Sequence, residues 1–120
     1  MTPTADARAA FVALAPGDKP RATFRFAAGL PVFAGHFPGA PLVPGVYVLA
    51  CVVETAARAL ARGLALRAIE RAKWTAPALP DQDLVAEVAI SAHDGGWRLD
   101  GSVSGPAGAC AACRLLVGAA

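Results

Sequence analysis

FAGHFPGAPLVPGV, residues 33–46, is the stretch of this sequence that decides the fold. Its three prolines, Pro38, Pro41 and Pro44, each fix their own φ and keep the preceding residue out of the helical region. The glycines between them allow close approach of the backbone to a bound group. The stretch is therefore predicted to be stiff and extended, with the single imidazole of His36 near its centre.

The residues that follow this stretch in the sequence have a helical pattern of apolar side chains. Apolar side chains recur at three- and four-residue steps from Val46 to Leu60. Pro44 suits the first turn of a helix and Gly63 suits a C-terminal cap, so we predict a helix over about residues 44–63. Such a helix would be roughly 30 Å long and would cross a small sheet. Because nearly all its side chains are apolar or small, we expect a sheet to wrap around it.

The other segments carry strand patterns. Residues 21–27, RATFRFA, alternate apolar and polar side chains and are predicted to be the first strand, after a short N-terminal helix over residues 6–14. A hairpin turn is expected at Asp94-Gly95. Four further extended segments follow the long helix: 65–77, 83–92, 97–105 and 109–118. This order predicts one α+β domain over residues 1–120, with an antiparallel sheet curled around one central helix.

Composition and charge argue against several classes of protein. The net charge is only +2 and the charges are spread along the chain, so nucleic acid is not an expected partner. The first residues lack the apolar run of a signal peptide or a membrane span, so we expect a cytoplasmic protein without membrane contact. A small, alanine-rich domain is expected to oligomerise.

The three cysteines do not suggest a metal or redox site. Cys110 and Cys113 form a CxxC, but it stands in a predicted strand, where that spacing sends the two side chains to opposite faces. With Cys51 they are interpreted as buried or half-buried structural thiols. No metal and no organic cofactor is expected from any spacing in the chain.

Residues 35–46, GHFPGAPLVPGV, resemble the HFPGxPxxPGV signature of the (3R)-hydroxyacyl-ACP dehydratases of fatty-acid synthesis and their relatives in polyketide and aryl-polyene pathways. The later segment RAKWTAPALPDQDLVAEV resembles the strand, proline-rich turn and strand of the same family, so the similarity runs from about residue 22 to 117. The resemblance implies a hotdog fold and a dimer whose active sites straddle the interface. It also implies reversible elimination of water from a 3-hydroxyacyl thioester.

The resemblance implies roles for individual residues. His36 would move the C2 proton of the thioester, a task that suits a neutral imidazole because its ordinary pKa is near the working pH. The backbone N–H of Gly45, at the start of the helix, would polarise the thioester carbonyl. The candidate substrate-binding residues are Phe33, Phe37, Pro44 and Val46.

The helix departs from the family pattern at one position. Ala50 stands where the dehydratases have a carboxylate, and a positioned general acid contributes about 10² to 10⁴ in rate. Glu54, one helical turn later on the same face, is the candidate catalytic replacement. It would act as the acid in dehydration, or on water in a thioesterase. Alternatively, Glu54 and Arg58 form a structural pair at spacing i,i+4.

Three functions therefore stay open: a dehydratase, an acyl thioesterase that uses Glu54, and a non-catalytic acyl-binding subunit that pairs with an active dehydratase. The expected partners are an acyl-ACP or acyl-CoA thioester and the acyl carrier protein itself. A further expected partner is a second copy of the chain, in a homodimer or larger homo-oligomer, or another hotdog subunit. Basic side chains after the helix form a candidate rim for an acidic carrier: Arg58, Arg62, Arg67, Arg71 and Lys73.

Overall fold

The computed structural model describes residues 2–35 and 39–120. His36 and Phe37 lie outside the described residues, so their roles stay predictions. The helices are α1 (Pro3–Ala10) and α2 (Gly45–Leu60), with a short 3-10 helix at Pro31–Ala34. The strands are β1 (Phe11–Ala15), β2 (Arg21–Phe24), β3 (Leu64–Trp74), β4 (Leu84–His93), β5 (Gly96–Gly105) and β6 (Gly108–Ala119).

The strands form one six-stranded antiparallel sheet in the order β1-β2-β4-β5-β6-β3. One face packs against α2, and the alternating residues Leu84, Ala86 and Val88 of β4 are fully buried there, as their spacing predicts. At Gly101 of β5 the helix comes so close that a Cβ would lie 2.5 Å from Cγ1 of Val52. The predicted α+β architecture, a sheet around one long helix, is confirmed.

The central helix is slightly shorter than the predicted 44–63. Pro44 precedes α2 as its N-cap instead of standing in the first turn. The chain leaves the helix at Ala61, whose φ of 54° is left-handed, and not at Gly63. Gly63 is already in the sheet region, where its carbonyl accepts from the N–H of Ala120. No helix within the described residues is long and apolar enough to cross a membrane.

The N-terminal helix predicted over residues 6–14 is wrong from Phe11 onward. Helix α1 ends at Ala10, and Phe11 begins a strand at once. Thr2 caps the helix by accepting from the N–H of Ala5 at 3.0 Å. The next five residues gain more as a strand, because they pair with β2 and place the ring of Phe11 edge-on to Phe24 at 5.9 Å. The strand predicted to be the first is therefore the second, and it ends at Phe24.

Strand β3 forms one edge of the sheet and keeps its apolar residues on one face by means of bulges. Its pairing with β6 shifts between Leu66 and Ala68, and again between Ile69 and Arg71. The two shifts put Leu66, Ile69 and Trp74 on the face that carries α2, since their β6 partners are all buried. The helix does not cover them, and they are 45%, 50% and 49% exposed.

The cysteines are free and buried, as predicted, but Cys110 and Cys113 do not lie on opposite faces. The pairing of β5 with β6 shifts between Val103 and Ser104, so Ala109 and Ala111 are paired and Cys110 is the extra residue. Such a bulge lets two consecutive residues, Cys110 and Ala111, both point into the core. Both thiols are therefore packing groups.

Candidate active site

An apolar cavity of about 720 Å³ opens at the N-terminal end of α2. Its walls come from three neighbouring pieces of chain: the end of the proline-rich stretch, the first turn of the helix, and the segment that follows β3. Among the described residues, none that lines the cavity carries a charge. The lining residues are Leu42, Val43, Pro44, Gly45, Val46, Val48, Trp74, Thr75, Ala76, Pro77 and Ala78.

The first amides of α2 lie at this cavity, and two of them have no acceptor in the part of the chain that the structure describes. The N–H groups of Tyr47 and Val48 bond to the carbonyl of Pro44 at 2.9 and 3.2 Å. Those of Gly45 and Val46 come before the first helical bond, and no described residue accepts from them. A helix N-terminus carries partial positive charge. These amides are therefore available to a carbonyl oxygen that enters the cavity.

The residues predicted to bind substrate fall in different places. Pro44 is buried and Val46 is 56% exposed, and both line the cavity. Phe33 is buried in the 3-10 helix and does not line it. Phe37 and His36 are not described.

Trp74 belongs to the cavity, although it was not among the residues predicted to form the site. A Cβ on Gly45 would lie 2.9 Å from Cε2 and 3.1 Å from Nε1 of the indole, so only glycine fits beneath this ring. Trp74 is the last residue of β3, and the register of β3 on β6 brings it to the helix N-terminus. The only sequence signal was that its segment resembles the family's proline-rich turn.

Glu54 turns to the other side of the helix, toward α1. Its carboxylate is buried and bonds to Nε of Arg58 at 2.8 Å, while Nε of Arg8 lies 3.5 Å away. Glu54 comes nine residues after Gly45, which is about two and a half turns and so places the two on opposite sides of α2. The guanidinium of Arg58 also lies 3.6 Å from the ring centre of Phe11.

A second polar contact lies on the same side of α2. The hydroxyl of Tyr47 donates to the carboxylate of Asp6 in α1, and both residues are buried. This hydrogen bond, together with burial, raises the pKa of Tyr47 to about 12. Ala50 comes between Tyr47 and Glu54 along the chain, at the edge of this stripe, and is half-buried. We call Tyr47, Glu54 and Arg58 the α1 side of the helix.

The fold and the site together define a hotdog domain whose central helix directs its first amides into an apolar cavity. A family model described as ApeI-like, ApeI dehydratase, matches residues 14–106, and the chain belongs to this dehydratase family. The resemblance inferred from residues 35–46 is thereby confirmed at the level of the family.

Curated relatives carry the name 3-hydroxyacyl-[acyl-carrier-protein] dehydratase FabZ. The protein from Rhodospirillum rubrum is 33% identical over 81 residues, which cover 59% of this chain and 51% of the relative. The protein from Myxococcus xanthus is 31% identical over 100 residues, covering 75% of this chain and 65% of the relative. The chain thus spans about half the length of the first of these relatives.

Solved structures support the fold. The dehydratase heterocomplex ApeI:P from Xenorhabdus doucetiae contains a chain that superposes with a TM-score of 0.74 at 22% identity, covering 89% of this chain and 95% of that one. The (R)-hydratase from A. caviae gives a TM-score of 0.64 at 18% identity, covering 90% and 98%. At these identities the likeness shows the hotdog fold and nothing more.

Proposed function

We propose that the chain catalyses the reversible elimination of water from a 3-hydroxyacyl thioester carried by ACP or CoA. The observation that carries the proposal is the N–H of Gly45, which has no acceptor among the described residues and lies at an apolar cavity. A cavity whose described walls carry no charge suits an acyl chain, and a fixed amide suits the oxygen of its thioester. Membership of the dehydratase family supports the same reaction.

In the proposed reaction, the N–H of Gly45 donates to the thioester oxygen and stabilises the negative charge that develops there. His36 takes a proton from C2, the C3–O bond breaks, and the hydroxyl leaves as water after it gains a proton. Pro44 and Val46 would contact the acyl chain, since both line the cavity. The proposed location is the cytoplasm, as predicted from the sequence.

The leading function and a second candidate differ in which group supplies the proton to the leaving hydroxyl. None of the described residues that line the cavity has a carboxylate, and position 50 is alanine. This favours, as the alternative, an acyl-binding subunit that works beside another hotdog chain bearing the acid. The similarity to a chain of a dehydratase heterocomplex supports considering it.

A carboxylate introduced at position 50 tests whether the chain lacks the acid of the reaction. Ala50→Glu, with Ala50→Gln as the matched control, is expected to raise the dehydration rate about 10²-fold to 10⁴-fold if the acid is missing. An unchanged rate in an active protein would show that another group already delivers the proton. Activity that appears only on mixing with a carboxylate-bearing hotdog chain would support the subunit.

For Glu54 we propose a structural role. Its carboxylate is held between two arginines on the α1 side, away from the Gly45 amide. A thioesterase base would need that carboxylate free to activate water at the thioester. The ion pairs therefore disfavour the thioesterase.

We propose that two copies of the chain pair through β3 to form a homodimer. A strand edge of eleven residues presents unpaired N–H and C=O groups, which other strands readily join. Its exposed apolar residues lie beside the equally exposed start of α2, so the face is apolar and uncovered. A second copy would cover both the edge and this face.

Measurement of the molar mass in solution tests the dimer. The native chain is expected to have twice its own 12.1 kDa. Ile69→Lys should convert it to a monomer, whereas Val12→Lys, at an apolar residue that is 58% exposed on the opposite edge, should not. A native chain that remains a monomer at micromolar concentration would contradict the proposal.

The carrier would dock at the cavity end of β3. Arg58 and Arg62 lie over aromatic rings, and Arg67 bonds a carbonyl of β6, so all three are engaged within the chain. Arg71 and Lys73 are exposed, and Lys73 directly precedes Trp74 at the cavity. Lys73→Glu should raise KM for an ACP thioester and leave KM for the CoA thioester nearly unchanged.

A turnover assay tests the reaction itself. Crotonyl and 3-hydroxybutyryl thioesters, on CoA and on ACP, are incubated with the protein while enoyl absorbance and free thiol are followed. Interconversion that is lost in His36→Asn is the expected result. Thiol release that is lost in Glu54→Gln would establish the thioesterase instead, and no turnover with any thioester would exclude an autonomous enzyme.

A further inference from the structure

Trp74 places the nitrogen of its indole beside the proposed oxygen-binding amide. The three atoms nearest to the Cβ position of Gly45 are Cε2, Cζ2 and Nε1 of the indole, at 2.9, 3.0 and 3.1 Å, and Cε2 is the carbon that joins the other two. The Gly45 Cα that would bear this Cβ is bonded directly to the amide nitrogen. The indole nitrogen and the Gly45 amide nitrogen are therefore near neighbours, and both residues line the cavity.

The indole N–H of Trp74 has no acceptor among the described residues, although half of the residue is withdrawn from solvent at 49% exposure. The group is therefore open to water or to a ligand that enters the cavity. Trp97, the other tryptophan, does not line this cavity: it packs against the core, and the guanidinium of Arg62 lies 5.1 Å from its ring centre. Trp74 is thus the tryptophan whose donor is available at the cavity.

We propose that Nε1–H of Trp74 is a second hydrogen-bond donor to the thioester carbonyl oxygen, alongside the N–H of Gly45. This inference rests on the proposed dehydratase reaction. Two donors stabilise the charge on that oxygen better than one, and the described walls of the cavity carry no competing charge. The absence of a Cβ at Gly45 is what lets the indole come this close.

A kinetic measurement distinguishes a Trp74 that donates a hydrogen bond from a Trp74 that only lines the cavity. Trp74→Phe keeps an aromatic ring and removes only the N–H donor. It should lower kcat/KM for crotonyl-CoA hydration about tenfold to a hundredfold, mainly through kcat, because the bond strengthens as charge develops on the oxygen. Trp97→Phe is the matched control and should leave kcat/KM unchanged. A Trp74→Phe protein with native kcat would overturn the inference.

A measurement without turnover keeps the inference separate from the proposed reaction. In ¹⁵N-labelled protein the two indole N–H signals are assigned with Trp97→Phe, and butyryl-CoA, which has no hydroxyl to eliminate, is added. The indole proton of Trp74 and the amide proton of Gly45 should both shift downfield. A shift of Gly45 alone would overturn the inference and leave the proposed function standing. If butyryl-CoA moves neither signal, the proposed oxygen site fails and the inference fails with it.

Discussion

The two sides of α2 differ in how their polar groups are satisfied. On the α1 side every buried polar side chain has a partner: Tyr47 donates to Asp6, and Glu54 is held by Arg8 and Arg58. At the N-terminal end, facing the cavity, the amides of Gly45 and Val46 have no described acceptor. Paired polar groups fix one element to another, and unpaired amides beside an apolar space can bind a ligand. The first side therefore holds the helix, and the second is where chemistry is expected.

The largest effect is expected from a methyl group added to the cavity side. Gly45→Ala would force its Cβ against Cε2 of Trp74, 2.9 Å away, so the indole must move off the amide. We expect dehydratase activity to fall about a hundredfold, as for a displacement of about 1 Å at a reacting centre. Thermal stability should change little, because the exposed indole can give way.

The matched control is Gly29→Ala, where a Cβ would meet nothing within 4 Å. It should keep native activity in the crotonyl-CoA assay. Native activity in Gly45→Ala would mean that the cavity side is not the reacting side.

The sequence predicted the core of the fold because its strongest patterns are local. The long helix after residue 44 and the alternation in β4 each follow from neighbouring residues, whereas Phe33 and Ala34, predicted to be extended, are in a 3-10 helix. Strand β3 shows no alternation because two bulges change the phase of its apolar residues, and a bulge depends on the partner strand. Residues 11–14 continue a helical pattern in isolation, and only their pairing with β2 makes them a strand.

Only the part of the site that lies within one short segment could be predicted from the sequence. Gly45 follows from the motif and the start of the helix, both read within a few residues. Trp74 stands 29 residues later and reaches Gly45 through the register of β3 on β6. The Asp6–Tyr47 contact depends on how α1 packs on α2, for which the sequence offers no spacing rule.

A smaller effect, on stability alone, is expected from the α1 side. Glu54→Gln removes a buried charge that two arginines share, at a cost of about 1–3 kcal/mol in the free energy of unfolding. This corresponds to a fall in Tm of roughly 4 to 12 °C. Thermal unfolding followed by circular dichroism measures it, and dehydratase activity of the folded variant should be native.

Glu87→Gln provides the comparison, since Glu87 pairs with Arg21 at 3.5 Å on an exposed surface. Its cost should be about 0.5 kcal/mol or less. Equal costs for the two variants would contradict the assignment of a holding role to Glu54.

The smallest effect is a change in the titration of Tyr47, and it can be read directly because the chain has one tyrosine. Its phenol should ionise at about pH 12 in place of the ordinary 10.0, because the hydrogen bond to Asp6 and burial both favour the protonated form. As the pH rises above about 10 the unfolded chain loses this proton first, so the folded protein loses stability up to about pH 12. Absorbance near 295 nm follows the titration. Asp6→Ala should return the midpoint toward 10.0, and Asp94→Ala, at an exposed turn, should not. A native midpoint near 10.0 would mean that the Asp6–Tyr47 bond does not fix α1 to α2, so that Glu54 and its arginines hold that side of the helix alone.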